Sequence, residues 1–128
     1  MSGIILIAED DKMIQKILPR MIKRSGYTGE VKVCPNSQVA LATAESFEGD
    51  VDLVLMDTGL HPQGDAAFFY EVKELKPNTP IIASSGYSED ILLGSRHFEG
   101  CQLHGVLSKP FGMQDVKRVL IELSLIET

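Results

Sequence analysis

The chain has 128 residues, of which 44% are hydrophobic, so it is long enough to fold around a core of its own without disulfide or metal support. Eighteen acidic residues against twelve basic ones give a formal net charge of −6, which disfavours direct binding to nucleic acid or anionic lipid, because both depend on excess positive charge. Cys34 and Cys101 are too far apart in sequence for a zinc ribbon, so we expect reduced thiols and a cytoplasmic location. Every apolar run is far shorter than the roughly 20 residues of a membrane span, so we expect no membrane partner.

Short apolar runs bounded by turn residues predict five strands. In chain order these are Ile4–Ala8, Val31–Cys34, Val51–Met56, Ile81–Ser84 and Leu103–Leu107. Each is followed by apolar residues at helical spacing, which predict helices within 13–22, 37–47, 68–75, 88–98 and 116–126. This alternation indicates a flavodoxin-like α/β fold, a doubly wound parallel sheet in a three-layer α/β/α arrangement. No linker or low-complexity tract divides residues 1–128, so we expect one domain.

The strand patterns also predict the order of the sheet. The first, third and fourth strands are continuously apolar, as expected of central strands that helices cover on both faces. Polar and apolar residues alternate in the second strand, and the fifth includes His104 and Gly105, so both suit the edges. The predicted order is therefore 2-1-3-4-5. Pro19 lies inside the first helical pattern, where it removes a backbone hydrogen bond and is expected to kink the helix.

Acidic, hydroxyl and ammonium side chains follow the predicted strands at their carboxyl ends, where ligands bind in open α/β sheets. The first strand leads into Glu9, Asp10 and Asp11, the third into Asp57, the fourth into Ser84 and Ser85, and the fifth into Ser108, Lys109 and Pro110. One acid at a strand end is usually a helix cap, and we assign Asp11 to that role. The coincidence of suitable residues on four strands favours a functional site.

Clustered carboxylates repel one another unless a cation lies between them. Mg²⁺ suits such a cluster because it prefers oxygen ligands, which two carboxylates and a backbone carbonyl after Asp57 would provide. Asp57 is then a candidate nucleophile, since a carboxylate can form an aspartyl phosphate. Lys109 and the Ser85 hydroxyl are candidates for binding the phosphoryl oxygens.

Four segments together resemble response regulator receiver domains of the chemotaxis-regulator kind. They are residues 5–11 (Ile-Leu-Ile-Ala-Glu-Asp-Asp), 52–57 (Asp-Leu-Val-Leu-Met-Asp), 80–86 (Pro-Ile-Ile-Ala-Ser-Ser-Gly) and 105–111 (Gly-Val-Leu-Ser-Lys-Pro-Phe). The resemblance covers nearly the whole chain. The Ser85-Gly86-Tyr87 sequence is most like the terminal receivers of hybrid sensor kinases, although free-standing receivers share it.

The resemblance implies that Asp57 accepts a phosphoryl group from a phosphohistidine of a sensor histidine kinase or phosphotransfer protein. It further implies that Mg²⁺ is held by Glu9, Asp10, Asp57 and the backbone carbonyl of Gly59. Lys109 would bind the phosphoryl group together with Ser85, whose side chain matches the family's switch hydroxyl. The Lys109–Pro110 peptide bond would be cis. The downstream partner stays unknown. We expect no direct nucleic acid partner, and a monomer or weak dimer.

The chain departs from the family in the loop after Asp57. The family usually has proline four residues after the acceptor and glycine eight after it. Here those places hold His61 and Asp65, while Pro62 and Gly64 are each displaced by one. The family pattern therefore does not predict the path of this loop. We interpret His61 as an exposed loop residue; the alternative is that it faces the phosphoryl group and influences hydrolysis.

Val106 is a second departure, because many receivers carry an aromatic residue there that swings inward when the switch hydroxyl moves. Valine lacks that reach, so we predict that the signal emerges through the fourth predicted helix or a dimer contact. The remaining distinctive residues have structural interpretations: His97 and His104 at the surface or sheet edge, Phe68, Phe69 and Phe98 in the core, and Cys34 and Cys101 as small hydrophobic residues.

Three other functions fit parts of the pattern. A haloacid-dehalogenase-like phosphatase also uses an aspartyl nucleophile and Mg²⁺, but needs a second acid two residues later, where Gly59 stands. A flavodoxin-like cofactor binder needs a hydroxyl- and glycine-rich loop after the first strand, where this chain has acids. A receiver fold that serves only as a docking module stays an alternative, because the loop after Asp57 is altered. The pattern favours a phosphoacceptor signalling domain over an enzyme.

Overall fold

Five parallel strands form one sheet in the computed structural model, which describes residues 3–87, 91–92 and 101–128. The strands are β1 (Ile4–Ala8), β2 (Glu30–Cys34), β3 (Val51–Asp57), β4 (Ile81–Ser85) and β5 (Gly105–Ser108). Their order is β2-β1-β3-β4-β5, and every neighbouring pair is parallel. The predicted order and both predicted edge strands are therefore confirmed.

Helices cover both faces of this sheet. They are α1 (Lys12–Arg24), α2 (Ser37–Ser46), α3 (Asp65–Leu75) and α4 (Met113–Glu122). Of the predicted helix over 88–98, the structure describes only Ile91 and Leu92, which are helical. His97 and Phe98 lie outside the described residues. None of the helices in the described part of the chain is long and apolar enough to cross a membrane.

The alternation of side chains along β1 divides the core into two layers. Ile4, Leu6 and Ala8 face the layer under α2 and α3, whereas Ile5 and Ile7 face the layer under α1 and α4. Both layers are buried, which explains why β1 is continuously apolar. The first layer also holds three residues interpreted from sequence as core or small hydrophobic residues, Phe68, Phe69 and Cys34, with Cys101 partly buried against it.

Helix α1 begins directly after the acidic end of β1. The Asp11 carboxylate accepts hydrogen bonds from the backbone N–H groups of Met13 and Ile14, at 2.9 and 3.1 Å, which confirms Asp11 as the helix cap. The helix continues through Pro19 to Arg24, with Leu18 and Ile22 buried on either side of the proline. Burial of these neighbours stabilises the helix across the missing backbone hydrogen bond, and the kink itself stays a prediction.

Strand β5 begins at Gly105 rather than at Leu103, so its predicted start is wrong by two residues. The backbone N–H of His104 donates to the Ile81 carbonyl at 3.0 Å, and the His104 Nδ1 accepts from the Ile81 N–H at 3.3 Å. An imidazole therefore satisfies the first N–H of β4, and the strand ladder starts one residue later. Burial, together with the charge of Lys73, lowers the pKa of His104, which favours this neutral acceptor form.

Fixed hydrogen bonds close the amino-terminal edge of the sheet, where the strands begin. The Tyr27 hydroxyl donates to Asp52 Oδ2 at 2.7 Å, and the Thr79 hydroxyl donates to the Val51 carbonyl at 2.9 Å. Three lysine ammonium groups donate to backbone carbonyls there: Lys23 to Gly29 at 2.8 Å, Lys73 to Thr79 at 2.6 Å and Lys76 to Phe47 at 3.0 Å. This edge is thus a set of paired polar groups.

Candidate functional site

Three carboxylates meet at the opposite, carboxyl-terminal edge of the sheet. Glu9 and Asp10 directly follow β1, and Asp57 ends β3, the strand paired with β1. One carboxylate oxygen from each of the three lies within 4.8 Å of the others. Parallel pairing of two adjacent strands therefore brings together acids that are nearly fifty residues apart in sequence.

The Lys109 ammonium lies between two of these acids. Its Nζ is 2.8 Å from Asp57 Oδ1 and 3.2 Å from Glu9 Oε1. Burial by itself would lower the pKa of Lys109, but the hydrogen bond and charge of Asp57, with the charge of Glu9, outweigh it, so the pKa is raised and the ammonium stays charged. Lys109 is thus a fixed cation in the pocket.

Glu9 is the buried member of the cluster, only 1% exposed. Its Oε2 accepts from the Asp11 N–H at 3.1 Å, and its backbone carbonyl accepts from the Gln15 side-chain amide at 2.7 Å. Burial raises the pKa of Glu9 and the charge of Asp57 raises it further, against the opposing effects of the Asp11 N–H and Lys109. The single ammonium of Lys109 therefore does not offset the charge of the three carboxylates.

Ser85 and Lys109 lie side by side at the ends of β4 and β5, where the Lys109 N–H donates to the Ser85 carbonyl at 2.6 Å. The Ser85 side chain is buried, and its Oγ accepts from the Tyr87 N–H at 3.1 Å and lies 3.5 Å from the Thr58 hydroxyl. The hydroxyl thus links the loops after β3 and β4. The Lys109–Pro110 peptide bond is cis.

The loop after Asp57 contains the largest difference from the sequence interpretation. His61 is buried, so its interpretation as an exposed residue is wrong. Its Nδ1 accepts from the Gln63 N–H at 3.0 Å, its Nε2 lies 2.9 Å from Glu71 Oε1, and its ring packs near Phe68. The loop turns back onto α3, and contact with that helix removes the imidazole from solvent.

Asp65 and Glu71 are two residues that the sequence reasoning did not connect to the site. The Asp65 carboxylate, at the first turn of α3, accepts from the Gly59 N–H at 2.8 Å. Gly59 has φ +83°, a conformation that glycine adopts without steric cost. The available signal was local: an acidic residue opening an apolar helical stripe is typical of a helix start, but it does not reveal which loop amide the carboxylate binds.

The donor set fits a hard divalent cation. All three side chains offer carboxylate oxygens, the ligands that Mg²⁺ prefers. Three carboxylates and one ammonium sum to a charge of −2, which one divalent ion offsets. Glu9, Asp10 and Asp57 could therefore hold such an ion.

Comparison with known proteins agrees with this geometry. The family model described as the response regulator receiver domain matches residues 5–121. The sensor kinase CckA of Brucella abortus is 26% identical over 122 residues, which are 95% of this chain and 12% of CckA. The two-component response regulator ARR11 of Arabidopsis thaliana is 31% identical over 116 residues, which are 88% of this chain and 21% of ARR11. The chain thus spans less than a third of the curated relatives it matches.

Solved structures share the fold. The chemotaxis protein CheY4 of Vibrio cholerae superposes with a TM-score of 0.80 at 18% identity, over 96% of this chain and 99% of CheY4. The receiver domain of the sensor histidine kinase PA1611 of Pseudomonas aeruginosa, solved with magnesium in its active-site cleft, gives a TM-score of 0.75 at 24% identity, over 97% of this chain and 99% of its own. With the family model matching nearly its whole length, the chain belongs to the response regulator receiver domains, signalling domains of two-component systems.

Proposed function

We propose that Asp57 accepts a phosphoryl group from a phosphohistidine of a sensor histidine kinase or phosphotransfer protein, in a reaction that requires Mg²⁺. The observation that carries this proposal is the convergence of Glu9, Asp10, Asp57 and Lys109 at one edge of the sheet. Asp57 is the suitable nucleophile because its side chain is partly accessible and lies 2.8 Å from the Lys109 ammonium, whereas Glu9 is buried.

In the transfer, an Asp57 carboxylate oxygen attacks phosphorus as the phosphorus–nitrogen bond of the donor breaks, and the bonding electrons return to the imidazole nitrogen. Lys109 is placed to exchange its contact with Asp57 for a phosphoryl oxygen. Glu9, Asp10, Asp57 and the Gly59 carbonyl are the ligands we propose for the cation. When bound, Mg²⁺ would neutralise charge on the phosphoryl oxygens. Later hydrolysis by water would return the carboxylate and inorganic phosphate.

The aspartyl phosphate would carry about two negative charges in place of the single charge of the Asp57 carboxylate, and would offer new acceptor oxygens to Lys109 and Ser85. Ser85 would then exchange its contacts with Thr58 and Tyr87 for the phosphoryl group, which links the site to the loops after β3 and β4. Val106 is buried on β5 and is not an aromatic reporter. The change would therefore reach a partner through the segment after β4 or a dimer contact.

Substitution of the acceptor tests the proposal. Asp57→Asn keeps the size of the side chain but cannot form an acyl phosphate, so we expect complete loss of labelling by radioactive acetyl phosphate with Mg²⁺. Asp50→Asn removes an exposed carboxylate before β3, at the amino-terminal edge, and should label like the unchanged protein. Chelation with EDTA should also abolish labelling.

Labelling of Asp57→Asn at the rate of the unchanged protein would contradict the acceptor assignment. If the unchanged protein bound Mg²⁺ but accepted no label from acetyl phosphate or phosphoramidate, the chain would be a docking module with the receiver fold.

A further inference from the structure

We propose that Asp65 is a positioning residue for the cation site, and that the His61–Glu71 pair assists it by fixing the other side of the same loop turn. This inference rests on the proposed function, because it concerns the Gly59 carbonyl as a cation ligand. Asp65 and His61 occupy the two places where the family usually has glycine and proline. Pro62 and Gly64, the latter with φ +99°, are displaced by one residue, and side-chain contacts would here add to the restraint that they give the loop.

Asp65 holds the first side of the turn. Asp65 is only 3% exposed, and its carboxylate accepts from the Gly59 N–H at 2.8 Å. A hydrogen bond to a carboxylate is stronger than one between neutral groups, and burial protects it from competing water. Asp65 also lies in the first turn of α3, where the helix dipole favours a negative charge. The carboxylate therefore ties the Gly59 backbone to a rigid element.

His61 holds the second side. Its Nδ1 accepts from the Gln63 N–H, so the neutral ring carries its proton on Nε2 and donates it to Glu71 Oε1 at 2.9 Å. The His61 carbonyl accepts from the Gly64 N–H at 3.0 Å, which closes the next turn. Two successive turns of α3 therefore contact the loop, the first through Asp65 and the second through Glu71.

The Gly59–Leu60 peptide lies between these anchors. Asp65 fixes the amide on one side of it, and the Glu71 contact fixes His61 on the other. Few backbone torsions remain free between two fixed points, so the Gly59 carbonyl is held in one orientation before a cation arrives. Asp65 would act on the site through Gly59 and would not itself touch the ion.

Hydrogen exchange tests the first anchor without any metal. In Asp65→Ala, we expect the Gly59 amide to exchange at least about tenfold faster than in the unchanged protein, because it loses a charge-assisted hydrogen bond. Asp65→Asn keeps a neutral acceptor oxygen and is the matched control, with protection between that of Asp65→Ala and that of the unchanged protein. Equal protection of Gly59 in Asp65→Ala would overturn the anchor.

Magnesium titration, followed by amide chemical shifts, tests the consequence. We expect Asp65→Ala to weaken Mg²⁺ binding about tenfold, the lower end of the loss when an outer partner of a metal ligand is removed. Asp65→Asn should weaken it less, because a neutral acceptor still holds the Gly59 amide. Glu71→Ala should weaken binding less than Asp65→Ala, with Glu71→Gln as its control. Labelling of Asp65→Ala by acetyl phosphate should recover at saturating Mg²⁺, because Asp57 and Lys109 are intact.

The outcomes separate this inference from the proposed function. Normal Mg²⁺ affinity in Asp65→Ala, in a protein that binds Mg²⁺ and is labelled on Asp57, would overturn the positioning role alone. An unchanged protein that binds no Mg²⁺ would overturn both. If Asp65→Ala failed to fold, Asp65→Asn and Glu71→Ala would decide: unaltered protection of the Gly59 amide in Asp65→Asn, together with unaltered Mg²⁺ affinity in Glu71→Ala, would refute the positioning role.

Discussion

The two edges of the sheet use polar residues in opposite ways. At the amino-terminal edge, Tyr27 pairs with Asp52, and lysines such as Lys73 donate to single backbone carbonyls. At the carboxyl-terminal edge, three carboxylates cluster beside the Lys109 ammonium, which contacts two of them, Glu9 and Asp57. Paired groups stabilise a fold, whereas crowded like charges are stabilised by a ligand. We therefore expect substitutions at the first edge to change stability and at the second to change phosphorylation.

Two lysines give the largest test of this contrast. Lys109→Met keeps an unbranched side chain but removes the ammonium that would bind the phosphoryl group, so we expect labelling by acetyl phosphate to slow about a hundredfold. Lys73→Met is the matched control at the other edge. It should label normally but lower the free energy of unfolding in urea by about 1 kcal/mol, because the Thr79 carbonyl loses its donor. The contrast fails if both variants label equally.

Tyr27→Phe should have the second-largest effect, on stability alone. It removes the hydroxyl that donates to Asp52 at 2.7 Å, and we expect the free energy of unfolding to fall by about 1.5 kcal/mol, with labelling unchanged. Burial and the Asp52 charge raise the pKa of Tyr27, so this hydroxyl remains a donor at neutral pH. Tyr87→Phe is the control, because its side chain is exposed. A loss of labelling in Tyr27→Phe would show that the two edges are not independent.

The smallest expected effect concerns Ser84, at the carboxyl-terminal edge, and the free energy of unfolding. Ser84 pairs in register with Asp57 and is buried, and its hydroxyl has no hydrogen-bond partner among the residues that the structure describes. An unpaired buried hydroxyl is destabilising, so Ser84→Ala should raise the free energy of unfolding by about 1 kcal/mol. Urea unfolding measures this change, with Ser46→Ala, on the exposed end of α2, as the control. Destabilisation by Ser84→Ala would mean that the hydroxyl has a partner in solution.

The order of the sheet could be predicted because burial on both faces leaves a direct mark on the sequence. β1 is apolar at every position, whereas Glu30 and Lys32 alternate with valines in the edge strand β2. The meeting of Glu9, Asp57 and Lys109 follows from that order, since parallel strands end at the same edge. These features depend on periodicity and topology, which the sequence carries locally.

The path of the loop after Asp57 could not be predicted in the same way. The burial of His61 depends on its contacts with Glu71 and Phe68, and those contacts exist only once the loop folds back onto α3. The bond from Asp65 to Gly59 likewise joins a helix start to a loop amide six residues earlier. Neither pairing has a periodic signature in the sequence. The departure from the family pattern was therefore visible, but the contacts that hold the altered loop were not.

The charge balance of the pocket depends on Lys109, which is distant in sequence from both acids it contacts, Glu9 and Asp57. Lys109 is 52 residues from Asp57 and follows β5, a strand that pairs only with β4 within the described sheet. Edge strands open locally more readily than central ones, because fewer contacts hold them. Each such opening would withdraw the ammonium and leave three acids uncompensated on a core that is still folded. The local stability of β5 would therefore set how much of the time the acidic pocket keeps its ammonium.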